Sequence, residues 1–573
     1  MKVDPPDIHF PNDPVLARLI DAARQTSASK KIIYDELGFE KSYSDLLGDI
    51  VQLREALFAH FPSWVVSSSG RVEELNTYVT VSSRSGYEFL VAFFAIRAAG
   101  GVCVPIGSGA LPEEAHYMLE KAKSTIMLVG QDCIESGENI RTYMCEHTKS
   151  TPSIVIPIQT GADSVLGTHV EIDNSVTLDP AGPGMVLFTS GTTGRPKGVV
   201  LPRICFAELQ AVEQGNAVLN HRPGHWIGGA RNLIEPVVTG GILVSIGEKV
   251  RESRAEAVLH ALAKHKITDV FFTPALLRWM KHLLTDEDGG LSTRSLSKYS
   301  GAFNNLSSIK CTGGVCESST IEFWKSLTGL PFETTYAGTE MGGIACRSRS
   351  NVRGSIGLPL PGVKVRLSEG HRGEILVKSP RMLIGYISDE KSSKNAFDSE
   401  GYYKTNDLAE YKDGEYVFRG RSNADFVLFQ NYRFSTIPIE SLILDLPYFD
   451  EACVLPVPDP FSRQVCAVVA RLNTQHLLPE RQIGLSQIRK DLLERGMAVH
   501  MLPILLRVLG GDEVLPRTTS NKPMKRKIAE QYFGSMDGLA PIQLPACVER
   551  LDLPKASNAD IKPWDWCGMQ SAG

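Results

Sequence analysis

No charge excess of either sign is large enough to name a partner. Sixty Lys and Arg stand against 65 Asp and Glu, a net charge of -5, so neither nucleic acid nor an anionic membrane surface is indicated. No apolar run reaches the roughly 20 residues needed to span a bilayer. The opening MKVDPPDIHFPNDP carries prolines and acids where a signal peptide has its apolar core, and the closing MQSAG is no peroxisomal tripeptide. The 11 cysteines include no CxxC and no Cys/His group with metal-ligand spacing. Cys311 and Cys316, the closest pair, read as small buried hydrophobes rather than as a redox couple. These absences together point to a reducing, cytoplasmic setting.

What is present is an ordinary globular composition, 43% hydrophobic and 22% charged over 573 residues. That length suggests three or four structural units at roughly 100–200 residues each. Helical and strand patterns alternate. Tyr87–Ala99 reads as an apolar helix before the strand Val102–Ile106. Pro112–Ala122 then Ser124–Val129, and Ala255–Lys266 then Asp269–Phe272, repeat the helix-then-strand order. Such spacing predicts an α/β fold with a sheet covered on both faces. Near residue 420 the pattern becomes α+β: Cys453–Val457 and Val465–Leu472 read as strands and Ile483–Arg495 as a helix. The expected organisation is a large N-terminal domain, 1–420, and a small C-terminal domain, 421–534. A weakly periodic tail, 535–573, packs loosely on the surface.

The sharpest local signal is MVLFTSGTTGRPKGVVL, Met185–Leu201. A strand runs into Thr189, Ser190, Gly191, Thr192, Thr193, Gly194, Arg195, Pro196 and Lys197. Glycines allow backbone conformations closed to other residues, their amides can turn toward an anion, and hydroxyls and a lysine add donors. This is the chemistry of a polyphosphate cradle. It is not the Walker loop, because Lys197 is followed by Gly198 rather than Ser or Thr. A Gly/Thr surface turn is the blander alternative, and the ten-residue run of one character argues against it.

TSGTTGRPKG resembles the signature loop of the adenylate-forming superfamily, which includes acyl-CoA synthetases, luciferase and peptide-synthetase adenylation domains. Further segments are similar, in the family's order. TTYAGTEM matches a Tyr-Gly-x-Thr-Glu element through Tyr336, Thr339 and Glu340, with Ala337 at the usual glycine. KCTGGV supplies Gly313 and Gly314 where the family lays a Gly pair against acyl group and adenine. GYYKTNDLA places Asp407 as the ribose carboxylate, with Asn406 replacing glycine, and Arg421 matches the arginine before the hinge. PRTTSNKPMKRK aligns Lys522 with the adenylation lysine, within a basic run that continues through Lys525, Arg526 and Lys527.

The resemblance implies a large N-terminal domain of βαβ-type layered sheets and a small α+β domain joined by a hinge within Ser422–Asp425. It implies ATP, Mg²⁺ and coenzyme A as cofactors and co-substrates, a carboxylic acid as substrate, and a two-step reaction through an acyl-adenylate. Thr339, Glu340 and Lys522 would be catalytic, with Glu340 on Mg²⁺. The alternative acceptor is the thiol of a carrier protein, or an amine. Gly313 lines the expected acyl site, and His225 and Trp226 either gate it or pack between helix and sheet. Arg231 is placed either there, on a second carboxylate, or in a structural salt bridge. The segment GRSNADFVLFQNYRFSTIPIE is most similar to malonyl-CoA synthetases, though Leu428, Gln430 and Asn431 stand where those enzymes carry a lysine and a glycine pair.

Overall fold

The structure is a computed structural model. It describes residues 8–61, 65–66, 72–73, 77–147, 154–189, 196–207, 216–247, 251–286, 290–350, 352–422, 425–429, 432–459, 462–473, 483–517, 523–534 and 544–551. Of the sequence expectations, Ser190, Gly191, Thr192, Thr193, Gly194 and Arg195, the hinge residue Asn423, the pair Gln430–Asn431, and Lys522 lie outside the described residues.

Tyr87–Ala98 is a helix with every residue buried, as expected of one that is apolar all round. Two sheets enclose it. A seven-stranded sheet runs in the order 385–386, 197–202, 183–189, 102–106, 78–82, 126–129, 154–157. A four-stranded sheet runs 217–220, 242–245, 31–35, 40–42. Val79, Val81 and Met185 from the first join Ile33 and Leu243 from the second in one core with the helix. The central strands pair in parallel, which explains their nearly continuous Val/Ile/Leu character.

A nine-stranded path, from Phe271–Phe272 through Ile309–Thr312 and Phe332–Gly338 to Glu415–Arg421 and Tyr403–Lys412, forms the next layer. The strand expected at Asp269–Phe272 shortens to its last two residues. Asp269 bridges Val218 of the four-stranded sheet, while Phe271 and Phe272 pair with Lys310 and Cys311, so the chain changes sheets within three residues.

Glu415–Arg421 is the last strand of this path in chain order, and Phe426–Phe429 begins a separate six-stranded sheet with its own core. One expectation is corrected here. Part of the supposed loose tail, Val548–Arg550, is a strand antiparallel to Leu505–Val508. Leu544, Val548 and Leu551 pack on that core, and the Glu549 carboxylate accepts from Leu485 N at the start of the helix Leu485–Glu494. A three-residue strand is too short to show periodicity in the sequence.

Candidate nucleotide and acyl site

The strand Pro183–Thr189 pairs antiparallel with Lys197–Pro202, bringing Thr189 opposite Lys197. The two strand ends on either side of the glycine-rich segment are thus pinned side by side. Thr189 Oγ1 donates to the Lys197 carbonyl, 3.4 Å, and Tyr117 Oη donates to the Pro196 carbonyl, 3.0 Å. The exposed Lys197 ammonium donates to Ser392 Oγ, 3.0 Å, and lies 5.1 Å from the Tyr386 ring centroid.

Asp407 and Arg421 face each other on adjacent antiparallel strands. Arg421 Nε donates to Asp407 Oδ1 at 3.0 Å, and Tyr336 Oη donates to Asp407 Oδ2 at 2.7 Å. Asn406, just before, has φ +59°, the left-handed conformation that asparagine tolerates better than most residues; this accounts for asparagine in a glycine's place. The Asn406 amide is held by Glu374, 2.7 Å. Burial, and then the Asp407 charge, hold the Tyr336 hydroxyl well above the usual tyrosine range, so the hydroxyl keeps its proton and donates a hydrogen bond at any physiological pH.

Ala337, at the other glycine position, sits at a bulge in the pairing of Phe332–Gly338 with Gly343–Ser348. The turn beyond it carries Thr339 and Glu340. Leu383 N donates to the Glu340 carbonyl, 2.8 Å. Tyr386 and Tyr403 are phenols near Glu340 that the motifs did not single out. Burial first, then the Glu340 charge, pushes Tyr386 up to about 12 and Tyr403 higher still. Tyr403 was visible in the GYYKTND segment, but nothing local marks it as facing Glu340. Gly313 takes φ +86° with nothing within 4 Å of where a Cβ would stand, and a Cβ on Gly314 would meet only Pro274, at 3.4 Å. The pair leaves room for a ligand's flat face.

In the acyl segment, His225 and Trp226 meet edge to face, centroids 5.9 Å apart, before the helix Ile227–Val238. Desolvation lowers His225 to about 4. Arg231 is buried, and its guanidinium bonds Glu235, the Gly342 carbonyl and the Cys205 carbonyl. The salt-bridge alternative is therefore the one the structure shows. Sequence reasoning passed over Arg222. It is 9% exposed, donates to the Phe271 carbonyl at 2.7 Å, and is lowered by burial to about 10.

Paired strands flanking a Gly/Thr/Lys segment, a carboxylate held between Arg and Tyr, and an open Gly pair define a nucleotide-using enzyme. The chain belongs to the AMP-binding enzyme family, which its residues 74–387 match. It is similar to the acyl-CoA ligase oryP of Aspergillus oryzae, 29% identical over 541 residues, covering 91% of this chain and 93% of that protein. The mitochondrial malonate–CoA ligase ACSF3 of Mus musculus is 25% identical, with 78% and 80% covered. The fold matches that of ATP-bound MatB from Rhodopseudomonas palustris with a TM-score of 0.73 at 20% identity, over 91% of this chain and 99% of MatB. Among the described residues no helix is long and apolar enough to cross a membrane.

Proposed function

We propose that the protein activates a carboxylic acid with ATP, forming an acyl-adenylate and pyrophosphate, and then passes the acyl group to the thiol of coenzyme A. The observation that carries this reading is the Tyr336–Asp407–Arg421 cluster. It is a charged carboxylate preset between two donors, as a ribose diol requires, at the exit of the nine-stranded layer. The ligase names of the relatives support the thioester step.

Asp407 would accept from both ribose hydroxyls, since each carboxylate oxygen has a lone pair beyond the one already used. Gly314 and Tyr336 would bound the adenine. Thr189, Ser190, Gly191, Thr192, Thr193, Gly194, Arg195, Pro196 and Lys197 would hold the β- and γ-phosphates, and Thr339 would donate to the α-phosphate. The residues fit a magnesium–nucleotide: Glu340 is a hard oxygen donor one residue from Thr339, and bound Mg²⁺ neutralises phosphate charge. Lys522 would bridge the substrate carboxylate and the α-phosphate, where negative charge gathers in the transition state. His225, Trp226 and Gly313 would bound the acyl group. A cytoplasmic setting fits the unpaired spacing of the cysteines. Loading of a carrier protein, or amide formation, remains the alternative acceptor chemistry.

Pyrophosphate release, measured on malonate, benzoate and octanoate with and without coenzyme A, tests the reading. Release that continues only when coenzyme A is present supports it. Lys522→Ala should slow release ~10²–10³-fold. Silence with every acid, or full activity after Lys522→Ala, overturns it.

A further inference from the structure

Lys525 lies in what the sequence presents as a solvated basic run, and Arg526 beside it does point outward, 70% exposed. Lys525 does the opposite. Its side chain is 16% exposed, and its ammonium donates to Asp425 Oδ1 at 2.5 Å and to Thr436 Oγ1 at 3.0 Å. Glu440 stands 3.9 Å away. Burying a lysine is costly unless its charge is paired and its protons are bonded, and here Asp425, Glu440 and Thr436 supply those partners.

That geometry has consequences at both ends. On one side, Arg517 and Pro523 pair across the base of the stretch that contains Lys522, and Met524 N donates to the Pro516 carbonyl, 2.9 Å. Arg517 is tied to Glu451, and Lys525 ties the other limb of the base to Asp425. On the other side, Asp425 Oδ2 accepts from the Arg421 backbone amide, 3.0 Å, and the Arg421 side chain holds Asp407. A single carboxylate thus joins the limb next to Lys522 to the strand end that carries the ribose site.

We propose that Lys525 is a positioning residue for acid activation: by clasping Asp425 it fixes the Pro523–Lys525 limb against the strand end at Arg421, and so sets where Lys522 starts. This rests on the role given to Lys522 above. A lysine ammonium on a four-carbon stem reaches many places, and a misplacement of about 1 Å can cost a factor of ~10². An anchor three residues away narrows that range.

Two measurements test it. Amide hydrogen exchange over residues 516–524 needs no substrate. Lys525→Met and Asp425→Asn should speed it roughly 10-fold or more, while the strand Arg463–Leu472 and the helix Leu485–Glu494 keep their wild-type rates and Lys525→Arg stays near wild type. In pyrophosphate release, Lys525→Met should slow turnover with little change in KM for ATP, and should add nothing in a Lys522→Ala background. Unchanged exchange at 516–524 overturns the proposal. So does acceleration shared by the whole small domain, or a loss that multiplies onto Lys522→Ala. If Lys522→Ala itself leaves turnover intact, the functional reading fails, while the exchange result still decides the clasp.

Discussion

Both oxygens of Asp407 are engaged before any ribose arrives, one by Arg421 and one by Tyr336. The two donors are not equal. Each bond ends on the charged carboxylate, where a hydrogen bond contributes about 1.5–3 kcal/mol, and Arg421 adds an opposite charge that the neutral Tyr336 phenol does not. Asp407→Asn removes the charge and turns a donor toward Arg421 or Tyr336. It should lower kcat/KM for ATP ~10–100-fold, whereas Tyr336→Phe should lower it ~3–10-fold. Initial rates of pyrophosphate release across an ATP titration give both numbers. The reverse ranking would make the phenol the main orienting group.

A second residue-scale consequence concerns pH. His221 is buried and donates to the Phe271 carbonyl, 2.9 Å, and desolvation, then the Arg222 charge, lowers it to about 3. An unfolded histidine titrates near 6.5. Above that value neither state takes the proton and His221 contributes no pH dependence. As pH falls from 6.5 toward 3, the unfolded chain binds a proton that the folded one refuses, so stability is lost at up to ~1.4 kcal/mol per pH unit. His221→Gln keeps a donor for Phe271 and removes the titration. Urea midpoints at pH 7.5 and 5.0 should converge in this variant relative to the wild type. Equal shifts in both proteins would place the acid sensitivity elsewhere.

At the scale of elements, the helix Ile227–Val238 illustrates what one ion pair can organise. Arg231 joins Glu235 on its own helix to the Gly342 carbonyl, which ends the turn of Thr339 and Glu340. Removing one partner of a buried pair leaves the other uncompensated, at about 3–5 kcal/mol, while replacing both with apolar groups can be neutral. Arg231→Met should therefore destabilise strongly in urea unfolding, and Arg231→Met combined with Glu235→Leu should recover the part due to the uncompensated carboxylate, while the Gly342 and Cys205 carbonyls stay without that donor. A residue that served only a substrate carboxylate would instead raise KM for the acid and leave the urea midpoint alone. From sequence, the helix was placed only through the resemblance of its segment to the family's acyl-site segment, and the partner in the pair was not read. Spacing of four suggests Glu235, and nothing local excludes a ligand. The same limit explains Lys525. Three consecutive basic residues read as a solvated face, and only the packing of Asp425, Thr436 and Glu440 shows that one of them turns inward. Tyr87–Ala98 and the backbone at Asn406 were readable for opposite reasons. The helix is apolar on every side, so its burial needs no context, and Asn406 announces an unusual backbone only because it stands where the motif has glycine.

At the scale of the whole molecule, the two sheet systems meet through a cap that no local pattern encodes. The helix Ser318–Thr328 has Glu317 at its N-cap with no capping bond from that side chain. The acceptor comes from the small domain: Asp445 Oδ1 takes bonds from Ser319 N, 3.3 Å, and Ser319 Oγ, 2.7 Å. Arg353 adds a bond to Ser441 Oγ, 2.7 Å, just before it. A carboxylate at a helix N-terminus typically contributes about 0.5–2 kcal/mol. Because this one bridges the domains, its loss shifts the balance between domain arrangements rather than the stability of either domain alone. A shift of that size is ~2–30-fold in the equilibrium. If the two half-reactions use different arrangements, Asp445→Ala must slow the one served by the arrangement seen here and leave the other equal or faster. Acyl-adenylate formation and thioester formation, each measured in single turnover, give the two rates. Equal loss in both would mean that the cap holds the large domain's helix and does not choose between arrangements.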